Sequence, residues 1–139
     1  MTNEEMAAST FRAASCILDE ARRYHREGVW GLAIRRSQEV VELCLKAVLR
    51  FIGLEVPKIH DVSGFLRRYK ERLPAQVTEN LDRVSSISRT LREEREISFY
   101  GDEEAGFTAE ELYSEEDAKR AISDATFVFE LCEQLIKTK

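Results

Sequence analysis

Three arginines spaced three residues apart are the side chains of this sequence best suited to hold a phosphate: Arg89, Arg92 and Arg95. A guanidinium group carries a planar fork of donors that matches phosphate oxygens. At about 100° per residue, the three cover about 120° of a helix surface, so they can form a local basic strip. Glutamates stand between and beside them and weaken such a strip. The simpler interpretation of Arg95 is a solvated side chain paired with Glu94 or Glu96.

Tyr100, which follows Arg95 along the same predicted helix, is the second candidate for chemistry. A tyrosine hydroxyl is a poor proton acceptor at neutral pH, but it can donate a hydrogen bond, and its ring can stack on a nucleobase. His60 precedes a helix start, where backbone hydrogen bonding near the N-cap is the simpler interpretation and a nucleotide contact is the alternative. The cysteines and histidines show no metal-ligand spacing, so the sequence predicts neither a metal nor a cofactor.

The composition predicts a single helical domain that spans 1–139. Charged residues make up 34% and hydrophobic residues 43% of the chain, with only 2 prolines, which suits a well-solvated protein built of helices. The net charge of −5 gives no whole-protein attraction to nucleic acid. The first residues are acidic and polar, and the sequence has no run of about 18 apolar residues, so we expect neither a leader segment nor membrane contact. Cys16, Cys44 and Cys132 are expected to be buried free thiols, which favours a cytoplasmic location.

Apolar residues recur every three to four positions along most of the chain, as they do in amphipathic helices. The predicted helices cover about 3–27, 30–51, 62–72, 75–100 and 115–137. Glycines are expected to end three of them, at Gly28, Gly53 and Gly101. Two capping boxes, Thr108 with Glu111 and Ser114 with Asp117, predict one short helical turn and the start of the last helix.

These helices and their short connections predict an all-α fold, an antiparallel up-down four-helix bundle with one short extra helix. The second predicted helix has an unusually broad apolar stripe. A stripe of that width indicates a central helix, or one that serves both a core and a partner.

Three stretches, taken in order, resemble the HEPN family of small helical proteins. The first runs from REGVWGLAIRRSQEVVELCLKAVLRF through the loop that follows, and the family's Gln-Glu-x-x-Glu-x-x-x-Lys-Ala-x-Leu pattern falls in it. The second is REEREISFYGDEEAGF, and the third is LYSEEDAKRAISDATFVFELCEQLI. The residues that match the first pattern and its continuation are Gln38, Glu39, Glu42, Lys46, Ala47, Leu49, Gly53, Pro57, His60 and Asp61.

The resemblance implies a helical bundle that often forms a homodimer. Many HEPN proteins are metal-independent ribonucleases, and many are encoded beside a minimal nucleotidyltransferase as a toxin–antitoxin pair. Their nuclease motif is an arginine, four to six residues, then a histidine, with two copies meeting to form one composite site. Arg95 matches the arginine, but Tyr100 stands where the histidine is expected, and Gly101 and Asp102 follow.

Two hypotheses of different class follow from this departure. The first is a homodimeric module that binds a nucleotide or RNA, or a minimal nucleotidyltransferase partner, with Arg89, Arg92, Asp102 and His60 as binding residues. The second is a metal-independent ribonuclease toxin that uses Arg95 with Tyr100 or another polar group. In some paired systems the nucleotidyltransferase adds AMP to a tyrosine near the motif, and Tyr100 is the weakly matched candidate. A helix-end tyrosine that only packs is the simpler interpretation.

Overall fold

The computed structural model describes residues 2–55, 58 and 62–137, and four long helices account for most of them. These are α1 (Asn3–Arg26), α2 (Trp30–Phe51), α5 (Leu81–Tyr100) and α7 (Glu115–Lys137). Between them lie three short helices and a 3₁₀ turn: α3 (Ser63–Arg68), the 3₁₀ turn Lys70–Arg72, α4 (Ala75–Thr78) and α6 (Ala109–Leu112). The bounds of α2 and α7 agree with the predicted ones.

Local hydrogen bonds at the helix ends explain where several helices begin. Thr2 and Glu5 form a reciprocal capping box at the start of α1. Thr108 and Glu111 form the predicted one at the start of α6. At the start of α7, the Ser114 N–H donates to the Asp117 carboxylate at 2.9 Å. Each box satisfies backbone donors that the first helical turn leaves unpaired.

Helix α2 is the central element of the fold. It is antiparallel to α1, since Glu20 pairs with Arg36 while Asn3 lies beside Gly53. It is also antiparallel to α5, and Gly31 allows the two backbones to approach closely at the carbonyl of Ser98. More than half of its residues are buried, among them Val40, Val41, Cys44, Leu45, Val48 and Leu49. The predicted broad stripe is therefore used mainly inside the chain.

Helix α7 completes the core on α2 and α1, and it touches α5 only slightly. Phe11 of α1 and Phe129 of α7 stack with their ring centroids 4.5 Å apart. Buried alanines on both helices, among them Ala14 and Ala125, let the helix axes come close.

Two predicted helices are wrong in their extent. The segment predicted over 62–72 is divided into α3 and a 3₁₀ turn at Tyr69. The segment predicted over 75–100 is divided into α4 and α5, because the chain leaves helical geometry at Asn80 (φ −109°, ψ 10°). The short helices therefore outnumber the single extra one predicted.

The all-α class is confirmed, and the described residues contain no β-strand beyond an isolated bridge between Asp102 and Phe107. None of the described helices is long and apolar enough to cross a membrane.

The cysteines differ from the prediction at one position. Cys44 and Cys132 are buried, but Cys16 lies on the exposed side of α1. Burial, together with a hydrogen bond to Cys132, raises the pKa of the Cys44 thiol. These two cysteines therefore act as small apolar side chains in the core.

Candidate functional site

Arg95 turns toward α2 instead of toward solvent. Its guanidinium Nη1 donates to the Gln38 side-chain oxygen at 3.3 Å, and its Nε lies 4.0 Å from the Glu96 carboxylate. Only 18% of the side chain is exposed. The Arg95 backbone carbonyl accepts a hydrogen bond from the Arg35 guanidinium at 3.0 Å. Arg95 is therefore a mostly buried link between α5 and α2, not the solvated side chain of the simpler interpretation.

The partner of Arg95 belongs to a row of polar side chains along α2. Gln38 is 2% exposed, and its amide donates to the Glu42 carboxylate at 3.1 Å. Lys46 donates to the other oxygen of Glu42 at 2.8 Å. One helical turn separates each member from the next, so the row follows a single face of α2. Three of the pattern residues that carry the family resemblance therefore form a hydrogen-bonded row with Arg95.

Arg89 and Arg92 do not join Arg95 on one surface. Both are exposed to solvent, whereas Arg95 faces the core side of α5. The predicted basic strip is thus reduced to two exposed arginines with Glu93 and Glu96 beside them. Such an arrangement provides little net attraction for a phosphate chain.

Tyr100 lies at the end of α5 and is 57% exposed, so it does not simply pack. Its ring contacts Phe99 edge to face, with centroids 4.7 Å apart. The Arg35 guanidinium lies over the Phe99 ring, 4.8 Å from the ring centroid. Among the described residues no hydrogen bond or ring contact joins Tyr100 to Arg95. The two residues predicted to share a site are therefore not joined within one chain.

Asp102 has a local structural role in the turn after α5. Its N–H donates to the Phe107 carbonyl at 2.8 Å, and its carbonyl accepts from Gly106 and Phe107. Its carboxylate accepts from the Ala105 N–H at 3.1 Å. This carboxylate is occupied in closing the turn. His60, the remaining predicted binding residue, lies outside the described residues.

Tyr113 and Glu94 form a second polar contact that the sequence analysis missed. The Tyr113 hydroxyl, half-buried between α6 and α7, donates to the Glu94 carboxylate. Burial, and then the hydrogen bond and charge of Glu94, raise the pKa of the Tyr113 hydroxyl above its ordinary value. The spacing of Glu94 and Tyr113 in the sequence does not predict this contact, because the path of the loop between them determines whether the two side chains meet. Gln38 did carry a signal, as a lone amide within the apolar stripe of α2.

Replacing Tyr113 with phenylalanine is expected to destabilise the protein by about 1 kcal/mol at pH 9, because the Glu94 carboxylate loses its donor. The folded-state pKa of Tyr113 lies above the unfolded value of about 10, so its contribution is complete below pH 10 and is lost as the pH rises toward the folded pKa. The stability difference between wild type and Tyr113→Phe should therefore shrink between pH 9 and 12. Urea unfolding at several pH values measures it.

The control repeats Tyr113→Phe in a Glu94→Gln background. There the stability difference caused by the tyrosine replacement should vary less with pH. An identical stability difference at pH 9 and 12 in the wild-type background would contradict the assigned contact.

The described residues bring together no three His, Cys, Asp or Glu side chains with the arrangement of a metal site. The carboxylates of Glu94, Asp117 and Asp124 do line one small cleft between α5 and α7. Arg120 lines the same cleft, and partial burial raises the pKa of Asp124, so this cleft holds a mixed and partly compensated set of charges.

Comparisons with known proteins agree with this architecture. The HEPN domain family model matches residues 7–135. A solved structure, that of ST0689, an archaeal HEPN homologue, superposes with a TM-score of 0.71 at 25% sequence identity. The match covers 94% of this chain and 97% of that one. Among curated proteins, none matches the sequence significantly. The family model spans nearly the whole chain, and the protein belongs to the HEPN domain family.

Proposed function

We propose that this HEPN protein is a binding module that docks a partner and does not itself cleave RNA. The observation that carries the proposal is the placement of Arg95. A guanidinium that binds a scissile phosphate must present its donors to solvent or to a ligand. Here Nη1 of Arg95 donates to Gln38, while Nε is buried without a hydrogen-bond partner among the described residues, 4.0 Å from the Glu96 carboxylate, and only 18% of the side chain is exposed. Its role in this proposal is to hold α5 against α2.

The residue at the proton-transfer position supports the same proposal. Tyr100 replaces the histidine of the family motif, and a tyrosine hydroxyl is a poor base at neutral pH. Its exposure suits a contact with a partner better than it suits acid–base chemistry, which benefits from exclusion of water. No specific observation favours the alternative of a metal-independent ribonuclease toxin.

The finer features of the proposal come from the family. A minimal nucleotidyltransferase is the proposed partner, as in a toxin–antitoxin pair, and nucleotide or RNA is the second candidate ligand. A homodimer and a cytoplasmic location are proposed with it. The up-down order of the four long helices is also kept as a proposal, supported by the antiparallel contacts of α2 with α1 and α5.

RNA cleavage tests the proposal directly. We expect wild type and Arg95→Ala to leave single-stranded RNA intact in the presence of a chelator, because both lack the motif histidine and the Arg95 side chain of wild type is mostly buried against Gln38. The Tyr100→His variant, which has the histidine of the family motif, is included to test whether that histidine confers cleavage. Gel analysis of end-labelled RNA measures cleavage, and circular dichroism confirms that each variant is folded.

Cleavage by wild type that disappears in Arg95→Ala would overturn the proposal in favour of the ribonuclease. Cleavage by Tyr100→His alone would agree with the absence of nuclease activity in wild type, but it would contradict the structural role given to Arg95, because its guanidinium would then reach a phosphate. Intact RNA in all three reactions would also support a binding module.

A further inference from the structure

A cleft of about 650 Å³, which we call the Arg83 cleft, lies between the start of α5 and the second half of α7. It is lined on one side by Gln76, Glu79, Asn80 and Arg83, and on the other by side chains of α7 from Ser123 to Gln134. Both α5 and α7 pack on α2 but hardly touch each other, which leaves the space between them open. At the helix break, the Asn80 amide donates to the Gln76 carbonyl at 2.7 Å and holds this wall in place. A cleft of this volume suits a small ligand.

A stacked pair of planar groups forms one end of the lining. The guanidinium carbon of Arg83 lies 3.6 Å from the centroid of the Phe127 ring. At this distance the guanidinium has to lie nearly flat on the ring, because a tilted group would push a nitrogen into the ring carbons. Phe127 is half-buried and Arg83 is exposed. The outer face of the guanidinium is therefore a platform on which a planar heteroaromatic ring can stack.

Two carboxylates face the cleft from opposite walls, and neither makes a hydrogen bond or an ion pair with another described residue. They are Glu79 and Glu130. A carboxylate only accepts hydrogen bonds, so the ligand has to donate. Among the four RNA bases, guanine alone carries two adjacent donors on its Watson–Crick edge, and this pair matches the two oxygens of one carboxylate. A cationic guanidine carries the same donors, but Arg83 would repel it.

The charges around the cleft disfavour a phosphate. The two carboxylates outnumber Arg83, and the charge of Arg83 also acts on Asp124, where it opposes the rise that burial gives to the pKa of that carboxyl. Arg22 of α1 reaches the Thr126 hydroxyl at 3.4 Å, but Asp19 lies 3.8 Å from its guanidinium. The basic groups near the cleft are thus already compensated, and an uncharged ligand is expected.

We propose that the Arg83 cleft binds a guanine nucleoside, with the base stacked on Arg83 and its donor edge on Glu79 or Glu130. Arg83 stands twelve residues before Arg95, about 18 Å along α5, so the cleft is separate from the motif positions. The inference does not depend on the proposed function, because none of the residues that carry it takes part in that proposal.

Nuclear magnetic resonance titration of isotope-labelled protein tests the proposal with guanosine, inosine, adenosine and guanosine monophosphate. We expect guanosine to bind and to shift the amide signals of residues 79–83 and 126–131. Inosine lacks the exocyclic amino group and adenosine presents a different edge, so both should bind at least about tenfold more weakly. The monophosphate should bind about threefold more weakly or worse, and raising the salt concentration should reduce that penalty.

Variants separate stacking from hydrogen bonding. Arg83→Lys keeps the charge but removes the planar group, and should weaken guanosine binding by about fivefold or more. The double variant E79Q/E130Q should remove most of the preference for guanosine over adenosine. Arg89→Lys and Glu93→Gln make the same chemical changes at exposed positions of α5 outside the cleft, and should leave binding unchanged. Circular dichroism verifies the fold of each variant.

Three results would overturn the proposal. One is absent binding of guanosine, or equal binding of the three nucleosides. Another is guanosine binding that neither Arg83→Lys nor E79Q/E130Q changes, since the ligand would then lie elsewhere. The last is tighter binding of guanosine monophosphate or of a guanine-containing single-stranded RNA that Arg83→Lys abolishes, which would make the cleft a phosphate site. RNA cleavage by wild type would remove the proposed function without affecting these titrations, so the two failures are distinguishable.

Discussion

Gly101→Ala is expected to destabilise the protein by about 3 kcal/mol or more, the largest effect of any alanine substitution at a glycine. Gly101 ends α5 with φ 76° and ψ −170°, a backbone conformation that residues with a Cβ rarely adopt. A Cβ there would also collide with the Phe107 carbonyl and would lie 2.9 Å from the Ala109 nitrogen. Backbone strain and steric overlap therefore add at this one position.

Alanine substitutions at three other glycines measure the cost of backbone strain and the cost of steric overlap separately. Gly106 has φ 80° and open space around a built Cβ, so Gly106→Ala carries strain alone, about 1–2 kcal/mol. Gly31 is helical, but its Cβ would collide with the Ser98 carbonyl and would lie 3.1 Å from the Ala109 Cβ, so Gly31→Ala carries overlap alone, about 1–3 kcal/mol. Gly64 is helical with nothing nearby, and Gly64→Ala should stabilise by up to about 1 kcal/mol.

Chemical denaturation of the four variants measures these free energies of unfolding. The expected order of stability is Gly64→Ala above wild type, then Gly106→Ala and Gly31→Ala, with Gly101→Ala lowest. A Gly101→Ala variant no less stable than Gly106→Ala would show that the turn after α5 is not packed against α6 as described.

Gln38→Leu is expected to destabilise the protein by about 2 kcal/mol, although leucine is apolar and similar in size. Gln38 is buried, and its loss would leave the Arg95 guanidinium mostly buried without its acceptor on α2. An unsatisfied buried donor that carries a charge costs more than the hydrogen bond itself contributes. The cost therefore comes mainly from Arg95, with a smaller part from Glu42, whose carboxylate loses the Gln38 amide but keeps Lys46, and not from a gap in the core.

The double variant Gln38→Leu/Arg95→Met isolates this coupling. With both polar partners replaced by apolar groups, the loss should be smaller than the sum of the two single losses by about 1–2 kcal/mol. Urea unfolding of the four proteins of the cycle measures the interaction. Strictly additive losses would mean that Arg95 does not depend on Gln38, and Arg95 would then be free to serve a ligand.

The helices follow from local features of the sequence, because periodicity and capping residues act within one or two turns. The bounds of α2 and α7 and the short helix α6 were predicted from such features, including the Thr108–Glu111 capping box. The helix break at Asn80 was not predicted, because no proline or glycine lies there. An asparagine can also stand inside a helix that tertiary packing stabilises. Helix breaks without such residues depend on which long-range contacts the flanking turns make.

The candidate site depends on the tertiary structure to a much greater degree. The sequence alone predicted that Arg95 and Tyr100 occupy the family's motif positions, with a tyrosine where the histidine is expected. Whether Arg95 faces solvent or Gln38 depends on how α5 is rotated against α2, which the close approach at Gly31 sets. The exposure of Tyr100 and of Phe107, which lie on either side of the turn at Gly101, depends in the same way on that turn. Residue types and spacing determine which groups a helix carries, whereas packing between helices decides which of them meet a partner and which meet solvent.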